Sequence, residues 1–306
     1  MHSLSGKLVQ DLTAAAHGKI KFSEPLAPYT SYRIGGPTDV MVFPDSESEI
    51  TALLKIIHDA ALPLLVIGKG SNLLVSDYGW QGASVYLGGC LSGWWFEEDK
   101  AYAMAGTTLL DFIHACRKMG LAGLEKLAGI PGTVGGALKM NAGAFGQEIC
   151  TVTETVHGCH ADGRPFSTQG PAIGFSYRQA PGLKDIILTR SCFRLLPGDP
   201  DVLKNEMDAT LVQRAAKQPL SCPSCGSVFK RPEGHYAGAL IEAAGLKGKK
   251  IGGAMISPKH AGFIVNTGKA TASDICTLIR LIEEKIKDEF GVTLEREVKF
   301  VGRFDD

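Results

Sequence analysis

Apolar residues recur every three to four positions along several segments of the chain, the spacing that places side chains on one face of an α-helix. The longest such segment covers residues 273–290 and stops at Gly291, a residue type that commonly ends helices. Glu283 and Lys287 stand four positions apart on it and can pair. Its apolar stripe consists of Ile275, Leu278, Ile279, Ile282 and Ile286. The pattern predicts a long amphipathic helix near the end of the chain.

Shorter patterns predict the remaining elements. A helix is expected from Ser46, with Glu49 completing a capping box. Further helices are expected at residues 3–17, 109–119, 202–216 and 236–244, and strands at residues 39–43, 62–67 and 262–266. Because these elements do not alternate regularly, they predict an α+β fold rather than a doubly wound parallel sheet. We expect three subdomains, formed by residues 1–85 with a closing strand at 298–306, by residues 86–196, and by residues 197–297.

Composition excludes several classes of protein. The 306 residues include 32 basic and 32 acidic side chains, so no broad positive field favours nucleic acid or an anionic membrane. No apolar run approaches the roughly 18 residues needed to cross a bilayer, and the first ten residues lack the apolar core of a signal peptide. Eight cysteines without a secretion signal are expected to be free thiols. These features predict a cytoplasmic protein.

The 37 glycines are concentrated in a few segments. Residues 67–74 read Ile-Gly-Lys-Gly-Ser-Asn-Leu-Leu, which has neither Walker nor dinucleotide-fingerprint spacing. Its successive backbone N–H groups could cradle a pyrophosphate, but alone the segment favours a plain turn. The second segment, residues 128–146, is longer and denser in small residues. There, a surface on which a flat ring or a phosphate lies against the backbone is favoured over a buried turn beneath a helix.

Together the two segments resemble the FAD-binding fold of the vanillyl-alcohol-oxidase type. Ordered motifs along nearly the whole chain then resemble the shorter subclass of the UDP-N-acetylenolpyruvoylglucosamine reductase family, which lacks a tyrosine-bearing insertion. These motifs are residues 32–36 (Tyr-Arg-Ile-Gly-Gly), 174–178 (Gly-Phe-Ser-Tyr-Arg), 214–219 (Arg-Ala-Ala-Lys-Gln-Pro), 223–230 (Pro-Ser-Cys-Gly-Ser-Val-Phe-Lys), 260–266 (His-Ala-Gly-Phe-Ile-Val-Asn) and 294–298 (Leu-Glu-Arg-Glu-Val). Six motifs in the family's order are far more specific than either glycine segment.

The resemblance implies a fold, an activity and a set of site residues. It implies an FAD-binding fold in two subdomains plus a C-terminal α/β substrate domain. The implied activity is NADPH-dependent reduction of UDP-N-acetylglucosamine enolpyruvate to UDP-N-acetylmuramate through bound FAD, in peptidoglycan precursor synthesis. The expected partners are this UDP-sugar and NADPH, without nucleic acid or membrane insertion, in a monomer or weak homo-oligomer.

The implied site residues fall into three groups. The implied catalytic residues are Arg178, Ser227 and Glu297. The implied cofactor contacts are Arg33, Gly68, Gly70, Ser71, Asn72, Leu73, Gly132, Thr133, Gly135 and Gly136, and the implied substrate contacts are Tyr177, Arg214, Lys217 and Lys230. No metal site is expected.

The residue types suit this chemistry. Hydride addition at C3 of an enolpyruvyl ether builds negative charge at C2 and on the carboxylate, and the planar fork of Arg178 can stabilise it. Ser227 is the implied proton donor to C2, and Glu297 orients the intermediate or relays the proton. Taken singly, these residues would be a surface arginine, a turn serine and a solvated strand residue. The ordered set of motifs favours the functional interpretation.

Two features depart from the family pattern. Cys222 and Cys225 form a Cys-x-x-Cys pair just before Ser227, where relatives often carry alanine at the second position. A lone pair is a weak metal or redox motif because zinc needs two more ligands. The segment from Arg178 to Asp185 is also short. Two rival functions follow: an FAD oxidase that acts on another alcohol, and a non-catalytic nucleotide-sugar or zinc-binding module.

Overall fold

The computed structural model describes residues 4–305. The first helix was predicted to begin at Ser3, and the closing strand was predicted to end at Asp306. Both residues lie outside the described range. The helices are α1 (Gly6–Ala15), α2 (Glu47–Asp59), α3 (Leu109–Lys118), α4 (Val134–Lys139), α5 (Pro200–Lys217), α6 (Ala237–Ala243) and α7 (Ala272–Phe290). All the predicted helices are present, whereas the short α4 falls inside a segment for which no helix was predicted.

Helix ends follow the local chemistry of their caps. Ser46 caps α2 by accepting the N–H of Glu49, but the carboxylate of Glu49 accepts from Asp45 rather than from Ser46. Of the two hydrogen bonds expected in a capping box at this helix, only the one accepted by Ser46 forms, so the prediction of a complete box was wrong. A complete box occurs instead at α7, where Thr271 and Asp274 satisfy each other's backbone N–H groups. Gly291 ends α7 in the left-handed conformation with φ 69°, as predicted.

Strands supply the rest of the scaffold. Those in the first half of the chain are β1 (Ile20–Pro25), β2 (Pro37–Val42), β3 (Leu64–Ile67), β4 (Leu73–Val75), β5 (Trp80–Tyr86), β6 (Trp94–Glu97), β7 (Lys100–Met104), β8 (Leu121–Ala122), β9 (Gly143–Ala144) and β10 (Gln147–Glu148). Those that follow are β11 (Thr153–Cys159), β12 (Pro165–Gln169), β13 (Ile187–Arg194), β14 (Leu196–Pro197), β15 (Lys250–Ile251), β16 (Ala254–Ile256), β17 (Ile264–Asn266) and β18 (Lys299–Val301).

These strands form several separate sheets. One four-stranded sheet has the order β1-β2-β5-β3, and its β3–β5 pair is parallel. A five-stranded sheet has the order β12-β11-β13-β7-β6 and is antiparallel throughout. A smaller sheet, β15-β16-β17, is antiparallel, and β18 pairs in parallel with β4. Mixed sheets with interspersed helices confirm the predicted α+β class.

The chain forms two compact units, each assembled from three segments. Unit 1 consists of residues 1–22, 39–69 and 82–213, and unit 2 of residues 23–38, 70–81 and 214–306. Unit 1 has its own core, in which fully buried Phe112 and Phe193 lie with ring centroids 5.3 Å apart. The core of unit 2 gathers Tyr32 and the apolar stripe predicted for α7. Each unit therefore buries a separate hydrophobic cluster.

Candidate active site

In unit 1, the first glycine segment packs against the second at the start of α4. A Cβ on Gly68 would lie 2.6 Å from Thr133 Oγ1, and one on Gly135 would lie 2.9 Å from the Cβ of Ala105. Such distances are too short for real Cβ atoms, so glycine is required at both positions by protein packing itself. The buried-turn interpretation therefore explains part of this glycine pattern.

The start of α4 satisfies its own backbone donors. Thr133 caps the helix by accepting from Gly136 N–H at 3.2 Å. The N–H of Val134 donates to Thr107, and that of Gly135 donates to Ala105, both at 2.9 Å. These N–H groups are already bonded within unit 1. What this segment offers a ligand is close approach to the backbone, most openly at the exposed Gly136.

Arg178 lies on a tight turn of unit 1. Ser176 and Gln179 exchange two backbone hydrogen bonds of 3.0 Å, which leaves Tyr177 and Arg178 at the tip. Arg178 has φ 56°, a left-handed conformation that costs a non-glycine residue about 1 kcal/mol or more. Its guanidinium donates to Gly143 O at 3.0 Å and lies 5.1 Å from the Tyr177 ring centroid. The implied catalytic arginine and the implied substrate contact Tyr177 are therefore neighbours.

In unit 2, the turn after Gly70 is also shaped by packing. Gly70 has φ 58°, and a Cβ there would lie 2.2 Å from Tyr29 O. Its own carbonyl accepts from Ser31 N at 3.1 Å. This turn, residues 70–73, is therefore fixed against residues 29–31 whatever it binds. Arg33, another implied cofactor contact, comes shortly after residues 29–31 in the sequence and has φ 57°.

Ser227 and Glu297 lie on neighbouring backbone segments of unit 2. Ser227 pairs with Phe263, and the adjoining Val228 accepts the N–H of Glu297 at 2.8 Å. Asn72 Nδ2 donates to the carbonyl of Glu297 at 3.0 Å. The structure thus brings together the implied proton donor, the implied glutamate and one implied cofactor contact. Ser227 is half-buried, and the hydrogen bonds of the described residues leave its Oγ without a partner.

The implied substrate contacts of unit 2 differ in burial. Lys230 is almost fully buried and pairs with Glu295. Arg214 is in the last turn of α5, and burial lowers its pKa from the ordinary value of 12.5. Its buried Nε has no hydrogen-bond partner among the described residues, which suits an anionic ligand. Lys217 is exposed at the end of the same helix.

The cysteine pair has two different environments. Cys225 is buried, and its Sγ donates to Leu73 O at 3.1 Å, which links it to the turn at residues 70–73. Burial raises the pKa of this thiol well above 9.0, so it stays protonated. Cys222 is half-buried, and both are free thiols. Within residues 4–305, no three His, Cys, Asp or Glu side chains are grouped to hold a metal ion.

Sequence reasoning missed the residues that support Arg178. Asn141 is fully buried, and its Nδ2 donates to Glu148 Oε2 at 2.9 Å and to Ser176 O at 3.1 Å. Asn141 lies in the glycine-rich segment, and Glu148 lies just after it. That segment was interpreted through its small residues alone. A buried asparagine among glycines was the available signal, but its partner Ser176 is distant along the chain.

None of the helices among residues 4–305 has the length and apolarity to cross a membrane.

Comparison with known protein families matches both parts of the chain. A model described as "FAD binding domain" matches residues 38–169. One described as "UDP-N-acetylenolpyruvoylglucosamine reductase, C-terminal domain" matches residues 218–301. Alkyldihydroxyacetonephosphate synthase has a similar structure over 64% of this chain and 41% of its own, with TM-score 0.51 and 14% identity, which indicates shared fold alone. These matches confirm the predicted α+β fold, with an FAD-binding domain followed by a C-terminal domain of the reductase family.

Relatives match over almost the full length. The UDP-N-acetylenolpyruvoylglucosamine reductase of Levilactobacillus brevis is 44% identical over 93% of this chain and 93% of its own. That of Caldanaerobacter subterraneus subsp. tengcongensis is 42% identical over 93% and 94%. The crystal structure of the reductase from Thermus caldophilus covers 92% of this chain and 98% of its own, with TM-score 0.77 and 31% identity. On this evidence the chain belongs to the UDP-N-acetylenolpyruvoylglucosamine reductase family.

Proposed function

We propose that this protein reduces UDP-N-acetylglucosamine enolpyruvate to UDP-N-acetylmuramate, with FAD as its bound cofactor and NADPH as the reductant. Membership of the family supports the reaction and its place in peptidoglycan precursor synthesis. The structural observation that carries the proposal is the hydrogen bond from Glu297 N to Val228 O. It holds the implied glutamate next to the segment of the implied proton donor, Ser227.

The residues present fit a dinucleotide. Residues 68–73 and 129–137 contain Lys69 and no acidic side chain, so no carboxylate would repel a pyrophosphate. A Cβ on the exposed Gly136 would meet Thr133 Oγ1 at 3.4 Å, and the absence of that Cβ leaves the backbone accessible. In this proposal the cofactor contacts are Arg33, Gly68, Gly70, Ser71, Asn72, Leu73, Gly132, Thr133, Gly135 and Gly136. Bound FAD would carry a hydride from NADPH to the enolpyruvyl group.

The proposed roles of the other residues follow from charge. Negative charge develops on the enolpyruvyl carboxylate and C2 as hydride arrives at C3, and Arg178 stabilises it through its fixed guanidinium. Ser227 Oγ then gives its proton to C2, because an enolate is a strong enough base to take it. Glu297 orients the intermediate or relays that proton. The remaining substrate contacts are Tyr177, Arg214, Lys217 and Lys230, with the partnerless Nε of Arg214 directed to an anionic group.

The same function assigns roles to three parts of the chain and a location to the enzyme. Residues 1–85 and 86–196 form two FAD-binding subdomains, residues 197–297 form the substrate domain, and residues 298–306 close the first subdomain. This functional division runs along the chain, whereas the two compact units are defined by packing. The enzyme works in the cytoplasm as a monomer or weak homo-oligomer.

The purified protein tests this function directly. It should be yellow, and under anaerobic conditions NADPH should bleach its flavin absorbance. Addition of the enolpyruvyl UDP-sugar should restore the colour and yield UDP-N-acetylmuramate, identified by mass spectrometry. Restoration by oxygen alone, with no effect of the UDP-sugar, would favour an oxidase. A colourless protein with stoichiometric zinc would favour a binding module.

A further inference from the structure

The turn that carries Arg178 is not stable by its local sequence alone. Arginine has no special tolerance for a φ of 56°, unlike glycine or asparagine. Its two flanking residues bond to each other, but two backbone bonds do not set where the turn sits in unit 1. Such a conformation persists only when surrounding contacts determine it. Those contacts therefore decide how precisely the guanidinium is placed.

Asn141 makes one of these contacts, to Ser176 O, from the end of α4. Its N–H donates to Leu138 O and the next N–H, of Ala142, donates to Ala137 O, the pattern in which a left-handed residue ends a helix. Asparagine tolerates this conformation, and its φ is 39°. The backbone of Asn141 is thus explained by helix termination. Glycine would serve that purpose equally well, so the termination does not explain the side chain.

The side chain of Asn141 is fully buried and uses all of its polar groups. Nδ2 donates to Ser176 O, the first residue of the Arg178 turn, at 3.1 Å. It also donates to Glu148 Oε2 at 2.9 Å, and Oδ1 accepts from Cys150 N at 3.3 Å. One amide therefore ties the turn to the β9–β10 hairpin and to the residues that follow it.

The same hairpin contacts Arg178 directly. Gly143, at the start of β9, accepts from Arg178 Nη2 at 3.0 Å. A Cβ on Gly143 would lie 2.8 Å from Glu148 Cγ and 3.4 Å from Arg178 Nη1, so this approach requires glycine. The turn that carries Arg178 and the Arg178 guanidinium are thus both held by the segment that contains Asn141 and the β9–β10 hairpin. Asn141 holds the backbone of the turn, and Gly143 holds the guanidinium.

We propose that Asn141 is the positioning residue for Arg178, and that its amide fixes the Arg178 turn against the β9–β10 hairpin. The inference rests on the proposed function in assigning Arg178 to charge stabilisation. Only an amide supplies two donors and one acceptor in this arrangement. Aspartate would keep the acceptor but lose both donors, and would set a second carboxylate beside Glu148.

The test compares Asn141→Gly and Asn141→Asp with the wild-type holoenzyme. Glycine keeps the left-handed helix end and removes only the side-chain bonds. Both variants should slow flavin reoxidation by the enolpyruvyl substrate about 10- to 100-fold, because a misplacement of about 1 Å costs up to that much. Bleaching by NADPH should stay within a few-fold of wild type, since it does not use Arg178.

A second readout follows the arginine itself. In protein labelled with ¹⁵N-arginine, and with Arg178 assigned by the Arg178→Lys variant, its guanidinium signals should be resolved in the wild type by restricted rotation. They should average toward those of solvated arginines in Asn141→Gly. Thr210→Val is the matched control, because it removes the side-chain hydrogen bond of another buried threonine, from Thr210 Oγ1 to Glu206 O at 2.9 Å within α5. It should leave the Arg178 signals and reoxidation unchanged.

The outcomes separate this proposal from the function on which it rests. Unchanged Arg178 signals and unchanged reoxidation in Asn141→Gly would overturn the positioning role, as would equal effects of Thr210→Val. If the wild type fails to reduce the UDP-sugar at all, the proposed function fails. The guanidinium signals then still decide whether Asn141 positions Arg178.

Discussion

Arg178 and Ser227 are placed by different means. In unit 1, Arg178 occupies a left-handed turn fixed by side-chain bonds from Asn141 and by its own bond to Gly143 O. In unit 2, Ser227 and Glu297 are placed by backbone pairing, with Phe263 on one side and Val228 between them. Placement through side chains is lost when one side chain changes, whereas backbone pairing survives such a change. The two regions should therefore respond differently to substitution.

The largest effect is expected at Ser227. In Ser227→Ala the backbone pairing keeps the segment in place, so only the proposed proton donor is lost. Flavin bleaching by NADPH should be near normal, while reoxidation by the substrate should slow about 10²- to 10⁴-fold. Anaerobic stopped-flow absorbance measures both steps. Equal slowing of both would make Ser227 structural, and slowing of neither would mean that another residue supplies the proton.

Arg178→Lys tests the other region. Lysine lacks the planar fork, so it cannot both bond to Gly143 O and present a second donor in the same geometry. We expect reoxidation to slow about 10²-fold, the effect of losing one charge-stabilising donor. The left-handed backbone disfavours lysine and arginine alike, so the melting temperature should be close to that of the wild type. A large fall in melting temperature with normal reoxidation would show that Arg178 serves stability instead.

The two cysteines should differ in their contribution to stability because they differ in burial. Cys225→Ala removes a buried thiol bonded to Leu73 O and should lower the free energy of unfolding by about 1–2 kcal/mol. Cys222→Ala should change it by less than about 0.5 kcal/mol, as is usual away from buried contacts. Both single variants and the double variant should retain flavin and keep turnover within a few-fold. Urea unfolding and stopped-flow rates measure this, and a large loss of turnover in Cys222→Ala would contradict it.

The last effect is one of pH on stability and concerns the segment that follows Arg178. Lys139 donates to the carbonyls of Leu183 and Lys184, and burial lowers its pKa from 10.5 to about 8. Because the unfolded chain binds this proton more tightly, charged Lys139 destabilises the fold below pH 8. That penalty is relieved as pH rises from about 8 to 10.5. The stability of the wild type relative to Lys139→Met should therefore increase by about 1–3 kcal/mol over this range.

Urea unfolding of both proteins across that pH range measures the difference. Parallel stability curves for the two proteins would show that Lys139 keeps its ordinary pKa in the fold. The bonds from Lys139 to residues 183–184 would then make no pH-dependent contribution to the free energy of unfolding.

The sequence predicted what depends on local pattern. The stripe of α7 and its glycine stop were correct because periodicity and capping act within one segment. The short helix α4 was missed since Gly135 and Gly136 stand in its first turn, and glycine disfavours helix. Its stability comes instead from the bonds of Val134 and Gly135 to residues 105 and 107, which lie far away in sequence.

The candidate site shows the same limit. Motif order identified Arg178, Ser227 and Glu297 as a set, and their catalytic roles stay predictions. The φ of Arg178 and its tie to Asn141 depend on contacts across some 35 positions, which no local pattern encodes. Gly68, Gly70 and Gly135 were assigned to a cofactor, whereas the structure gives each a packing reason as well.

The pairing of β4 with β18 has a consequence for synthesis of the chain. β4 ends at Val75, and its parallel partner begins only at Lys299. At translation rates of about 5–20 residues per second, β4 leaves the ribosome on the order of ten seconds or more before β18 exists. During that time the strand has an open edge, which other chains can pair with. Nascent chains that stop short of Lys299 would therefore be the forms of this protein most in need of a chaperone.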